Sequence, residues 1–333
     1  MQTLTIHDAI GQAIAEEMRR DPSVMMFGEG VATKRGDLLQ EFGNKRIRNT
    51  PLAEGIIAGA AVGASAMGMR PVIDLLFAPF LTLAMDELVN SAGKLRYLSG
   101  GQFKFPLVAM AMTGTGWAVG AQHNHNLEAW FVHSPGLKVV MPSTAADFKG
   151  LMKTAIRDDN PVLFFVEMAM TYETGDVPDG EHLVPLGRAA VRRTGSDITL
   201  ISYGKTVRAC EKATSLLAEK GVFAEVIDLR SLKPLDEDAI LASVRKTGRV
   251  LVVHEANRMC GVGAEVAAIV AEKAFDALKA PVLRLTSPDV PAPSSYPLEL
   301  AFAPQADAIM AAAESLLVQS TNKAEPALAV NAG

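Results

Sequence analysis

Short apolar runs alternate along this chain with stretches in which apolar positions recur every three to four residues. That alternation predicts a parallel α/β sheet covered by helices. In the first half the runs predict strands at 24–27, 71–76, 107–112, 137–141 and 162–166, with helices at about 7–20, 54–67, 81–96 and 144–157. Thr5, with Asp8 three residues on, forms a capping pair for the first helix. From Glu167 to Pro185 the rhythm gives way to Thr, Gly, Asp and Pro, which predicts an inter-domain linker. A second series follows, with strands at 198–203, 224–229, 250–254 and 282–285 and helices at about 206–220, 236–245, 264–275 and 307–317. The expected architecture is two three-layer α/β domains with mainly parallel sheets: residues 1–185, including the linker from about 168, and residues 186–319. The polar, Ala-rich residues 320–333 are expected to form a disordered tail.

Glu54 is out of place in this pattern. Thirteen uncharged residues, 56–68, follow it almost at once. Thr50 and Pro51 predict the cap and first residue of a helix, which puts Glu54 in the first turn. The helix body is small and apolar all round, the pattern of a buried helix. A carboxylate at its mouth is costly unless paired or protonated. Either the helix N-terminus and a basic neighbour satisfy it, or it is a functional acid.

Composition narrows the class. Of 333 residues 49% are hydrophobic and 21% charged, as in an ordinary globular protein. The net charge of −5, with Lys and Arg scattered singly or in pairs, argues against nucleic acid or an anionic membrane as partner. Two cysteines, Cys210 and Cys260, exclude a disulfide scaffold and fit a reducing cytoplasm. The first residues lack a basic stretch followed by an apolar one, and no uninterrupted apolar run is long enough to span a bilayer. The expectation is a soluble cytoplasmic protein.

Gly261-Val262-Gly263 carries the first two glycines of a dinucleotide fingerprint, but Val266 stands at the third position. His123 and His125 alternate, which brings two rings to one face where a metal centre needs three or four ligands. A loop histidine past a strand end is better placed for proton transfer or substrate contact, or it fills a surface or capping role. Glu29 follows the first strand at its carboxyl end, where ligands gather in α/β sheets, although a solvated loop acid would look the same. Phe80 lies just past the second strand, where core packing alone would explain it.

Several ordered segments together carry a resemblance over about residues 4–318: Phe27-Gly28-Glu29, Thr50-Pro51-Leu52-Ala53-Glu54, Ala121-Gln122-His123, Pro135-Gly136-Leu137-Lys138-Val139-Val140, Ala155-Ile156-Arg157-Asp158-Asp159-Asn160-Pro161 and Gly261-Val262-Gly263-Ala264-Glu265. The chain resembles the β subunits of thiamine-diphosphate-dependent 2-oxo-acid dehydrogenases, the pyruvate, branched-chain and acetoin group. The resemblance implies a first domain that binds the cofactor's aminopyrimidine and a second like the transketolase C-terminal domain. Glu54 matches the glutamate that shares a proton with the pyrimidine ring, for which a dry pocket makes a strong, directional hydrogen bond. Phe80 matches the aromatic that stacks on that ring. Leu52 and Leu76 match contact positions beside it, and Glu29 an acid lining the same site. His123 matches a substrate-facing histidine that supports proton transfer or reductive acylation. Leu107, Ala155, Ile156, Asp158 and Asn160 match a monovalent-cation site that holds K⁺ in some members.

No Gly-Asp-Gly occurs in the chain, although such enzymes use that motif to hold Mg²⁺ and diphosphate. The resemblance therefore implies a partner α chain that carries them, in an α2β2 heterotetramer, and a lipoyl acyltransferase as acceptor. A split transketolase-like carboligase without a lipoyl partner, or a catalytically silent scaffold subunit, are the alternatives. The chain departs from the family in three places. Only 24 residues separate Glu29 from Glu54, which shortens the loop at 31–39; Ala53 stands where Ser is usual; and Asn124-His125-Asn126 follows His123 where Ser-Gln is usual.

Overall fold

The computed structural model describes residues 1–321, so the expected tail lies, from 322 on, outside the described residues. At its start the last helix, Ala306–Thr321, runs past the expected boundary at 320. The first sheet has seven strands in the order Ser231–Lys233, Lys138–Val140, Val162–Glu167, Val108–Thr113, Arg70–Phe77, Val24–Gly28, Ile47–Asn49. All pairs are parallel except the outermost, where Ser231–Lys233 runs antiparallel to Lys138–Val140. The second sheet has five strands, Leu283–Ser287, Val250–Asn257, Ile198–Ser202, Ala224–Asp228 and Ala190–Arg193, of which only the last is antiparallel.

Nearly continuous apolar strands such as Val162–Glu167, buried at every position, are what a sheet covered on both faces requires. Helices Ile6–Arg20 and Ala145–Arg157 pack together on one face of the first sheet. The expected cap is present: Thr5 Oγ1 accepts from Asp8 N at 3.0 Å. The other face carries helix Glu54–Ala66 and the turns after Arg70–Phe77, and its core runs without a break into Ile201, Ile227, Val252 and Ile269 of the second domain. A third cluster, under helices Thr206–Ala218 and Ala306–Thr321, belongs to the second domain alone.

Four local expectations change. The segment 167–185 is not a free linker, because Thr174–Val177 pairs antiparallel with Gln2–Thr5 and is tied to the first domain. Thr50 is not a helix cap: its N–H extends the strand pairing by donating to Gly28 O at 3.0 Å, and the helix begins at Glu54 after Ala53, without a side-chain cap. The predicted helix at 81–96 is wound in three ways, as 3-10 turns at Ala78–Ala84, a π-helical stretch at Asp86–Ala92 and an α-helix at Gly93–Leu98. The shortened 31–39 loop is itself helical, in Val31–Lys34 and Gly36–Phe42.

Helix Glu54–Ala66 is not buried all round. Ile57, Ala58, Ala61, Val62 and Ser65 face the core, while Leu52, Ile56, Ala60, Gly63 and Met67 are exposed at spacings of three or four. Among the described residues, no helix is long and apolar enough to cross a membrane.

Candidate functional site

The site is built where adjacent parallel strands end. Strand Val24–Gly28 finishes on a glycine with φ +154°, at which a Cβ would stand 2.2 Å from Asp74 O, so only glycine allows the neighbouring strand so close. Glu29 leaves this point half-buried, with no hydrogen bond or ion pair to any described residue. Beyond Ile47–Asn49 the chain crosses to Glu54, also half-buried and also without a partner. Among the described residues no basic side chain pairs with it to make it a satisfied structural acid. Its place in the first turn of helix Glu54–Ala66 sets it at the positive end of the helix dipole.

Next to the end of strand Arg70–Phe77, Leu76 lies in the left-handed region, φ +62°, held by Leu76 N donating to Asp74 Oδ1 at 3.0 Å. The register with Val108–Thr113 shifts there, between Asp74 and Phe77. A left-handed leucine costs roughly 1–3 kcal/mol and marks a point the surroundings over-determine. The bulge introduces a short aromatic cluster. Phe77 and His123 meet edge-on with centroids 4.9 Å apart, Phe80 and His123 at 5.5 Å, and the two phenylalanines at 5.9 Å. Glu54's helix abuts the same turn, since a Cβ on Gly55 would lie 3.1 Å from Leu83 O. The fold thus gathers Glu29, Glu54, Leu76, Phe80 and His123 at one rim of the sheet. Leu52 borders it with its side chain 68% exposed. Phe77 joins the group unpredicted, although it stands in the same Phe-Ala-Pro-Phe segment as Phe80.

Behind His123 lies a set of buried acids that the sequence reading missed. Glu128, Glu167 and Glu255 converge from both domains around Lys205 and Tyr203. Tyr203 donates to Glu128 Oε1 at 2.8 Å, Lys205 pairs with Glu255, and the backbone N–H of Lys205 donates to Glu167. Burial, opposed by Lys205 and reinforced by the nearby charge of Glu255, pushes the Glu167 carboxyl up to about 8. Burial also raises Glu128. The available signal was an acid at the end of an apolar run, as at Glu167, which closes Val162–Glu167, and at Glu255, two residues past Val250–Val253.

The expected cation ligands do come together, at the end of helix Ala145–Arg157, but their oxygens are taken. Arg70 Nη1 donates to Ile156 O and Asp158 O at 3.0 Å, and Val162 N donates to Leu107 O at 2.9 Å. Asp158 N donates to Ala155 O at 3.3 Å, and Arg96 Nη1 to Asn160 Oδ1 at 2.7 Å. The Asp158 carboxylate pairs with Lys138 and accepts from Asn160. Two guanidiniums and an ammonium already supply the positive charge, so these residues do not fit an open K⁺ site.

Residues 2–171 match the transketolase pyrimidine-binding domain and residues 187–309 the transketolase C-terminal domain. Over 346 aligned positions the chain is 38% identical to the β subunit of acetoin:2,6-dichlorophenolindophenol oxidoreductase of Bacillus subtilis (strain 168), covering 98% of this chain and 99% of that one. Over 326 positions it is 42% identical to the pyruvate dehydrogenase E1 component β subunit of Porphyra purpurea, with coverages of 96% and 98%. A split-gene transketolase solved as an inactive β4 tetramer shares the fold with a TM-score of 0.80 at 25% identity, covering 95% of this chain and 99% of that chain. With both domains matched in order and relatives aligned almost end to end, the chain belongs to the family of thiamine-diphosphate-dependent acetoin and 2-oxo-acid dehydrogenase E1 β subunits.

Proposed function

We propose that this chain is the β half of a heteromeric dehydrogenase component acting on acetoin or a small 2-oxo acid such as pyruvate. An α chain would supply the Mg²⁺ and diphosphate site, in an α2β2 assembly that passes its acyl unit to a lipoyl acyltransferase. The observation that carries the reading is Glu54: a half-buried carboxylate with no partner among the described residues, at the start of a helix that abuts the turn bearing Phe80. An acid left unpaired there suits a ligand that shares a proton with it.

When bound, thiamine diphosphate supplies a carbon nucleophile that cleaves the bond beside a carbonyl. In this chain Glu54 would hold a proton between its carboxyl and the cofactor's pyrimidine ring. Phe80 offers a face for that ring, Glu29 lines the pocket, and the left-handed turn at Leu76 brings backbone to its edge. His123, held by Phe77 and Phe80, is placed to face substrate and move a proton. The exposed stripe of Leu52, Ile56, Ala60, Gly63 and Met67 borders Glu54 and is an apolar surface that an α chain would cover.

Glu54→Gln in the complex reconstituted with its α chain tests this. Turnover, followed by reduction of a dye acceptor, should fall at least about 100-fold. Undiminished turnover would overturn the assignment and favour a scaffold role. Condensation with an aldehyde acceptor, and none with dye or lipoyl domain, would instead favour a carboligase.

A further inference from the structure

We propose that Glu299 and Glu255, both in the second domain, are positioning residues that set the loop at 114–126 and with it His123. This rests on the reading of His123 as substrate-facing. The loop has little structure of its own. Gly114, Gly116, Ala118 and Gly120 all have positive φ, and Ala118, at +53°, is not a glycine. At Gly116 a Cβ would stand 2.5 Å from Ala169 N, so the backbone there has one narrow path. The hydrogen bonds that keep the loop's backbone to one path come largely from the other domain.

Glu299, on the short helix Tyr296–Phe302 and 4% exposed, accepts from Gly116 N and Ala118 N at 3.1 Å and from Asn124 Nδ2 at 2.7 Å. Glu255, 3% exposed at the end of Val250–Asn257, accepts from Thr115 N at 2.6 Å, Thr115 Oγ1 at 3.2 Å and Asn126 Nδ2 at 3.4 Å. Lys205, which pairs with Glu255, donates to Thr115 O at 3.0 Å. A carboxylate is an acceptor only, so it suits a cluster of N–H donors, and out of water such bonds are strong. The two anchors close on His123 from both sides, at Gly116 and Ala118 before it and at Asn124 and Asn126 after it. The Asn-His-Asn segment that departs from the family's Ser-Gln thereby has a physical role: its two amides are the donors that reach Glu299 and Glu255.

Glu299→Gln replaces one accepting oxygen with an N–H₂ facing N–H donors. In the reconstituted complex it should lower kcat about 10- to 100-fold with KM nearly unchanged, the sign of an interaction lost in the transition state. Hydrogen exchange should rise at 114–126 and Tm should fall by roughly 2–10 °C, because buried N–H donors lose their acceptor, while assembly stays near that of the parent. Because the effect runs through His123, Glu299→Gln should add little on a His123→Ala background. If Glu299→Gln impairs assembly, Asn124→Ala removes a single donor and should lower kcat in the same sense, about 3- to 10-fold. Full activity of Glu299→Gln where His123→Ala is impaired, or additive losses, would overturn this inference alone. An unimpaired His123→Ala would overturn it together with the role given to His123.

Discussion

Burial sets two titrations in opposite directions in the second domain's contact with the first. Glu167 is pushed up to about 8 from 4.5, so the fold keeps a proton that the unfolded chain releases. Its stabilisation is complete below about pH 4.5 and is lost as pH rises to about 8. His254, stacked on Tyr203, is pushed down to about 4 from 6.5, so the fold excludes a proton that the unfolded chain takes up. Its contribution is present above about pH 6.5 and is lost as pH falls towards 4. Between pH 6.5 and 8 only the Glu167 slope remains of the two. Thermal unfolding over that interval should show Tm falling with pH in the parent and a flatter line in Glu167→Gln. Parallel lines would show that Glu167 is ionised in the fold. These acids were hard to find in the sequence because their meaning depends on what faces them. Glu54 could be singled out because an uncharged helix follows it, whereas Glu255 and Glu299 acquire partners only when two domains close.

At the scale of elements, long periodic segments were legible and short ones were not. Helices Ile6–Arg20 and Ala145–Arg157 match their expected spans because the apolar stripe and the Thr cap point the same way. Ser231–Lys233 and Ala190–Arg193 were missed: three or four residues carry no period, and each forms only because another strand offers an edge. Helix Glu54–Ala66 lies where the sequence predicts it, but its apolar residues are buried on one side only, which an all-apolar pattern does not reveal. Its exposed side predicts a partner surface, and Ile56, 76% exposed, is the helix's exposed large apolar side chain. Ile56→Glu should leave the stability of the isolated chain within about 0.5 kcal/mol. It should weaken association with the α chain at least about tenfold, as measured by titration, because burying an isoleucine is worth roughly 1.5–3 kcal/mol. Unchanged association would place the α chain elsewhere.

At the scale of the molecule, the alternation of strands and helices was enough to predict two α/β domains, but not how closely they join. One core cluster includes Phe27, Ile57 and Val139 of the first sheet's layers and Ile201, Ile227 and Val266 of the second. Arg192 pairs with Asp147 across the junction as well as with Asp228 in its own domain. Calorimetry of the chain should therefore show one cooperative transition, with equal calorimetric and van't Hoff enthalpies, although the chain is larger than most two-state proteins. Two separated transitions would mean that the shared core is energetically minor. Strand Ser231–Lys233, which completes the first sheet from within the second domain, also bears on how the chain is made. A ribosome releases Lys138–Val140 some ninety residues before the strand that will cover it. Through that interval the nascent first domain has an open sheet edge, a template for pairing with any other extended chain. Between those two points in synthesis Lys138–Val140 can pair with a strand of another chain in place of its own.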